Sequence, residues 1–246
     1  MSQLKTNFKG LLTLLILLNI FINNLHAAQQ SSSVNFNGTN ITLVDGDITK
    51  QKFNNPASAA IVNAANVTLL GGGGISGVIH RAAGPGLNEE CAKLKADDQG
   101  VRCPIGHARI TGSHNLKEHF AHIVHTVGPS LADYPGSAFR NGTVPSAEHK
   151  ILLENAYENS LKVAHKAGVN EIAFPSISTG IFAYPIEQAS KIALTQIFKY
   201  VKHNPGAFKE IRFVLFHDRN KDEDELQDIT IYKNVLKQVI HEMEIQ

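Results

Sequence analysis

Four consecutive glycines, Gly71 to Gly74, stand directly ahead of a helical pattern that begins at Ile75. A loop without Cβ atoms lets backbone N–H groups form concave nests beside a helix N-terminus, and the natural occupant of such a nest is a phosphate or diphosphate. The bland alternative is a flexible surface turn, but the pattern from Ile75 onward has none of the serine-rich character of a linker. Gly72, Gly74 and Gly77 also satisfy G-x-G-x-x-G, with Asp97 or Asp98 at about the distance of a ribose-binding acid. That match is formal: the glycines begin several residues after the preceding strand, and both acids sit in a polar loop. A Walker A loop is excluded because no Gly-Lys-Ser/Thr follows the glycines.

Two other segments carry polar groups immediately after strand-like runs, where open parallel sheets bind ligands. One is Gly46-Asp47-Ile48-Thr49; the other runs from Ser176 to Pro185 through Ser178, Thr179, Gly180, Ile181 and Phe182. Asn63 and Asn66 flank the end of the run that leads into the glycine loop. A carboxamide there can both donate to and accept from ribose hydroxyls, or cap the backbone of a tight turn. Asp47 is an acceptor suited to an exocyclic amine such as that of adenine, or to capping a helix. Phe182 and Phe216 follow strands and are ligand-facing or core aromatics.

His107, His114, His119, His122 and His125, with Cys103 nearby, are the residues that could suggest a metal centre. On a strand, however, successive side chains alternate faces, so His119, His122 and His125 do not converge, and no metal site is expected. A serine hydrolase is equally unsupported. No G-x-S-x-G occurs, and Ser76 and Ser178 lie within the proposed phosphate loops.

The elements that would position these groups are legible from periodicity. Val34 to Val44 alternates apolar and polar residues around Asn37-Gly38, a hairpin signature. Ala59 to Ala64 is a continuous apolar run, as for a strand covered on both faces. Ile75 to Ala83 and Leu87 to Lys95 have helical spacing interrupted by Gly84-Pro85-Gly86. Strand character returns at His107 to Thr111 and Phe120 to Val127, and Leu131 to Pro145 reads as a surface loop. Then come helix 146–167, strand 171–174, helix 186–203, strand 210–216 and helix 222–244. Apolar strands alternating with amphipathic helices predict one domain with a largely parallel sheet between two helical layers.

Bulk properties agree. Of 246 residues, 43% are hydrophobic and 18% charged, as in globular α/β proteins, and the net charge of +1 argues against a general nucleic-acid binder. Lys5 and Lys9 precede an apolar run from Gly10 to Ile22, followed by Leu25-His26-Ala27-Ala28. This is the form of a cleavable export signal over residues 1–28, and the run is shorter than the roughly 20 residues of a membrane span. Periplasmic or secreted delivery, with no membrane attachment after cleavage, is the expectation. Residues 29–40 then read as a linker and first strand, and 41–246 as the domain. Cys91 and Cys103 could form a disulfide in an oxidising compartment or remain two half-buried thiols. Sequons occur at Asn37, Asn40, Asn66 and Asn141; a glycan on Asn66 would block the proposed site, which favours a bacterial origin. No sustained heptads occur, so a monomer is expected.

Six segments in order resemble the macro domain family, in particular its MacroD-type and YmdB-type branch of O-acetyl-ADP-ribose deacetylases and ADP-ribosyl hydrolases. They are GDIT at Gly46, IVNAAN at Ile61, GGGGISGVIHRAAGP at Gly71, CPIGHARIT at Cys103, HIVHTVGP at His122 and FPSISTGIFAYP at Phe174. The resemblance implies a three-layer α/β/α sandwich around a mixed, largely parallel sheet, with ADP-ribose across its crest and no cofactor. It also implies roles. Asp47, with the Ile48 backbone, would hold the adenine amine, and Phe216 would stack on the base. Gly72, Gly73, Gly74, Ile75 and Gly77, with Ser178 to Ile181, would clasp the diphosphate. Phe182 would pack against the distal ribose, and Asn66 would bond its hydroxyls, with Asn63 close by. The implied partners are ADP-ribose, an ADP-ribosylated protein or O-acetyl-ADP-ribose. One position departs: the hydrolytic branch has Asp where this chain has Ser76. A hydroxyl is no carboxylate base near neutral pH, and general-base assistance is worth roughly two to four powers of ten. Positioning of water by the substrate diphosphate and Asn66 supports a hydrolase; Ser76 supports a non-catalytic binding module. His80 and the loop from Ser130 to Pro145 are candidate sources of a replacement group.

Overall fold

The computed structural model describes residues 32–132, 144–216 and 227–245. The expected export segment, most of the loop before Pro145, the sequon at Asn141 and the beginning expected for the last helix lie outside the described residues. No helix among the described residues is long and apolar enough to cross a membrane.

Seven strands form one sheet: β1 (Ser33–Phe36), β2 (Thr39–Asp45), β3 (Ala59–Ala64), β4 (Ala108–Gly112), β5 (His122–Thr126), β6 (Glu171–Phe174) and β7 (Glu210–Leu215). Their order is β1-β2-β7-β6-β3-β5-β4. The five central strands run parallel, and β1 and β4 are antiparallel edges, so the sheet is mixed and largely parallel as expected. The β1–β2 hairpin turns on Asn37 and Gly38, with φ 49° and 83°. Two successive positive φ values match the twist of the strands, and asparagine followed by glycine adopts them most readily. Because β1 pairs with β2, the stretch expected as linker and first strand contributes an edge of the sheet.

The helices are α1 (Gly74–Ala83), α2 (Pro85–Lys93), α3 (Ala147–Lys166), α4 (Ile186–His203) and α5 (Gln227–Ile245). Gly84 alone separates α1 from α2, its φ of 78° closing the first helix while Pro85 opens the second. Proline is tolerated there because the first-turn N–H has no intrahelical partner.

Strand alternation divides the core in two. Ala60 and Val62 of β3, Ile172 and Phe174 of β6, and Ile211 and Phe213 of β7 face the layer of α3, α4 and α5. Ala59 and Ile61, Ala173 and Val214 face α1, α2 and the loops beside them. Each strand is therefore apolar on both faces, which explains the unbroken hydrophobic run of β3. The result is the three-layer α/β/α sandwich. Rings tie the larger layer to the strand ends: Tyr157 lies 5.6 Å from Phe174, and Phe213 lies 5.3 Å from Tyr232. Both tyrosines then reach the loop after β6, Tyr157 through its hydroxyl to Ile177 N and Tyr232 to Ser176 Oγ.

Candidate functional site

The carboxyl ends of β2, β7, β6 and β3 open into a cleft of about 240 Å³. Its floor carries Ala64 and Ala65 after β3, Pro175 after β6, and Val214 and Leu215 of β7. Two loops form its walls. Gly72 to Ser76 line one side, and Ser176 to Phe182 the other.

The glycine loop reaches the cleft by way of Asn66. Its Nδ2 donates to Gly71 O at 2.7 Å, while its Oδ1 accepts from Thr68 N at 3.1 Å and from Thr68 Oγ1 at 2.7 Å. The turn-bracing role open to this carboxamide is thus in use, and Asn66 still lines the cleft with one N–H left over. Gly71, Gly72 and Gly74 have φ of 82°, 144° and 56°, values at which a side chain would be strained. Gly77 has a different reason to be glycine. A Cβ there would stand 2.4 Å from Gly72 O, so its absence lets the loop fold down onto α1. Gly73 caps α1 without any side-chain bond, which leaves the first-turn N–H groups for an acceptor in the cleft.

The second loop is held from behind. Beyond the two tyrosine contacts, Thr179 Oγ1 donates to Ser176 O, and Tyr184 N donates to Ser178 O. Ser178 is held at φ 69° with a buried hydroxyl that has no partner. A Cβ on Gly128 would lie 2.1 Å from that oxygen, so the glycine gives it room. The two loops approach each other at Ile181, whose Cδ1 would stand 3.0 Å from a Cβ on Gly73. No lysine or arginine is among the described lining residues, so an anion would be met by backbone dipoles and N–H groups.

Of the residues singled out in the sequence, Ile48, Asn66, Gly72, Gly73, Gly74, Ile75, Ser76, Ser178, Thr179, Gly180, Ile181, Phe182 and Phe216 line the cleft. Phe216 is 66% exposed at its rim. Asp47, Asn63 and Gly77 are not among the lining residues. Asp47 caps the short turn Ile48–Lys50, its Oδ1 accepting from Thr49 N at 2.8 Å and Thr49 Oγ1 at 2.7 Å.

Asn63 is fully buried and connects the cleft to a polar layer beneath it. Its Nδ2 donates to Ser76 Oγ at 3.4 Å and to His125 Nδ1 at 3.1 Å. With Nδ1 accepting, the ring proton sits on Nε2, 2.9 Å from Thr111 Oγ1, which in turn donates to Gly112 O. Burial pushes His125 down to about 3, with the charge of neighbouring His80 adding to the effect. His80 is lowered as well, by burial. Both rings are therefore neutral near pH 7. The partner of Ser76 is an amide N–H, which stabilises a hydroxyl oxygen without removing its proton.

This layer was not foreseen. His80, Cys91 and His125 bring donor atoms within 4.8 Å of one another, whereas sequence proximity had grouped His125 with Cys103 and with histidines at 107, 114, 119 and 122. Both nitrogens of His125 are already engaged, and burial pushes the Cys91 thiol up to about 11, which favours a protonated sulfur over a metal-ligating thiolate. The two cysteines are free and buried, so of the two states considered the unbridged one is found. Asp228, which lines the cleft, was missed, and Ser176 was named only as the start of its segment.

A macro domain family model matches residues 62–193. The chain belongs to the macro domain family. It is 42% identical over 180 residues to a macro domain-containing protein of Caldanaerobacter subterraneus subsp. tengcongensis, covering 73% of this chain and 90% of that relative. It is 38% identical over 182 residues to O-acetyl-ADP-ribose deacetylase 1 of Pantoea vagans, covering 74% and 94%. Among solved structures, the Oceanobacillus iheyensis macrodomain with ADP superposes with a TM-score of 0.69 at 36% identity, covering 85% of this macro domain protein and 96% of that chain. A variant of the same macrodomain, solved with ADPR, gives a TM-score of 0.66 at 34% identity, with coverage of 85% and 98%.

Proposed function

We propose that the cleft binds ADP-ribose and that the protein hydrolyses mono-ADP-ribosyl esters on proteins or O-acetyl-ADP-ribose. The observation that carries the binding half is the convergence of two backbone-lined loops on one cleft with no cation among its described lining residues, beside an exposed aromatic at one end and Asn66 at the other. Nucleotide-bound relatives support it, as does the deacetylase name of the Pantoea protein. Adenine fits between Ile48 and Phe216, the diphosphate between Gly72–Ile75 and Ser178–Ile181, and the distal ribose between Phe182, Asn66 and Ser76. For turnover, the substrate diphosphate and the free N–H of Asn66 would orient a water toward the ester carbon, supplying rate by position alone.

Ser76 favours a second reading, a binding module without turnover. At 5% exposure, its hydroxyl meets an amide N–H and no base among the described residues. Two assays separate these: calorimetric titration with ADP-ribose, and release of ADP-ribose from a glutamate-modified protein, each on wild type and Ser76→Asp. Turnover by the wild type supports the hydrolase. Binding without turnover, with turnover gained by Ser76→Asp, leaves the binding module. Failure to bind ADP-ribose removes both.

We further infer that residues 1–28 direct export and are removed. N-terminal sequencing of protein from the periplasm or medium should begin at Ala28 or Gln29; recovery with Met1 intact would contradict this.

A further inference from the structure

The cleft contains an acid to which none of the roles above is assigned. Asp228 stands in the first turn of α5 and lines the cleft with Phe216 and Ser176. It is the sole carboxylate among the described lining residues, which include no lysine or arginine. Its place is fixed from below. Tyr232, one helical turn further along α5, meets Ser176 Oγ at 2.8 Å, which sets this turn of the helix over the strand ends of β6 and β7.

Strand order determines which part of a ligand lies there. Along the crest the order is β2, β7, β6, β3. A base between Ile48 and Phe216 occupies the β2–β7 end, and a diphosphate between the two loops occupies the β6–β3 end. Neighbouring strands are about 4.8 Å apart, so β2 and β6 are separated by roughly 10 Å, a span that one nucleoside fills. The ribose that joins base to diphosphate therefore crosses β7 and the start of the β6 loop, beside Phe216, Ser176 and Asp228.

We infer that Asp228 determines specificity at this adenosine ribose: it accepts hydrogen bonds from the free hydroxyls and rejects nucleotides phosphorylated there. The inference rests on the ADP-ribose reading of the cleft. An ionised carboxylate is acceptor-only and suits a diol. A 2′-phosphate brings nearly two negative charges and three further acceptors against it. Dinucleotide sites elsewhere make the same choice by the same means, an acid for the 2′-hydroxyl and an arginine for the 2′-phosphate.

The test is calorimetric titration of the full chain with ADP-ribose, 2′-deoxy-ADP-ribose and 2′-phospho-ADP-ribose, using wild type, Asp228→Asn and Asp228→Arg. Wild type should prefer ADP-ribose to the 2′-phosphate by at least ~10-fold, and to the 2′-deoxy analogue by about 5-fold. Asp228→Asn should narrow the first ratio to about 3-fold or less, and Asp228→Arg should tighten binding of the 2′-phosphate about 10-fold over wild type. The preferences of wild type are read without any variant, so a misfolded variant does not protect the inference. Equal wild-type affinity for ADP-ribose and its 2′-phosphate overturns it while leaving the ADP-ribose reading intact, as do unchanged ratios in folded variants. A wild type that binds none of the three overturns both.

Discussion

Gly180→Glu should weaken nucleotide binding strongly and leave the fold unchanged. Gly180 is exposed in the second loop, its φ lies outside the left-handed region, and a Cβ built on it meets nothing within 4 Å. The larger side chain therefore has space, and its effect is electrostatic. If its carboxylate lies about 6 Å from the diphosphate, at an effective dielectric constant of about 40, each charge pair costs about 1.4 kcal/mol. Two phosphate charges bring the total to about 2.8 kcal/mol, which is roughly a 100-fold loss of affinity. Salt at physiological strength has a Debye length of about 8 Å and would trim this, so about 30-fold to 100-fold is expected, rising as salt is removed. Gly180→Gln has the same bulk without the charge and should lose no more than about 5-fold. The assay is calorimetric titration of each variant with ADP-ribose at two ionic strengths, with thermal unfolding as the check on the fold. A folded Gly180→Glu protein that binds within about 3-fold of wild type would show that the diphosphate does not lie against this loop.

Gly77→Ala tests the first loop in the opposite way, through packing. Alanine is better than glycine by about 1 kcal/mol inside a helix, but here its Cβ would stand 2.4 Å from Gly72 O, and overpacking against backbone costs about 1–3 kcal/mol. Net destabilisation in urea with weakened ADP-ribose binding is expected; a more stable variant with full affinity would mean the loop is free to move. The buried ring of His125 makes stability pH-dependent. Its folded value near 3 lies below the unfolded 6.5, so the unfolded chain binds the extra proton, and stability is full above pH 6.5 and falls toward pH 3. Between pH 8 and pH 5 this group accounts for about 2 kcal/mol, measurable as a drop in the urea midpoint that His125→Gln should flatten. Cys91 and Cys103 both have thiols pushed up to about 11, so at pH 7.5 each holds about 100-fold less thiolate than at the reference value of 9.0. Native protein should resist iodoacetamide, while urea exposes two reactive thiols; rapid labelling without denaturant would contradict their burial.

The parts of this molecule that could be read in advance are those governed by local rules. Strand 171–174 and helix 186–203 have the expected boundaries, because a short apolar run between turns and an amphipathic stretch after Pro185 have little else to become. The glycine loops announced themselves because side-chain-free backbone ahead of a helix has few other uses. The polar layer beneath the cleft had no such signal. His80, Cys91 and Thr111 come from α1, α2 and β4, and they meet His125 only when β4 pairs antiparallel with β5 and α1–α2 fold over β3. Asp228 is harder still, since it lies thirteen positions beyond the end of β7 in the first turn of a helix whose sequence reads as ordinary amphipathic surface. A capping Asp47 was foreseen as an alternative; the choice between cap and ligand contact depends on which way one carboxylate turns.

The proposed binding and the proposed turnover would draw on different parts of this site, so the serine bears on only one of them. The loops proposed to hold the diphosphate are shaped by φ values and close approaches at Gly72, Gly77 and Gly128, none of which depends on the side chain at position 76. That side chain is 5% exposed and faces the N–H of Asn63, which is itself committed to His125. An aspartate placed there would receive that same N–H, while burial would raise its pKa toward the range where a carboxylate works as a base near neutral pH. What serine withholds is the proton acceptor, and substituting it should alter the rate of ester hydrolysis far more than the affinity for ADP-ribose.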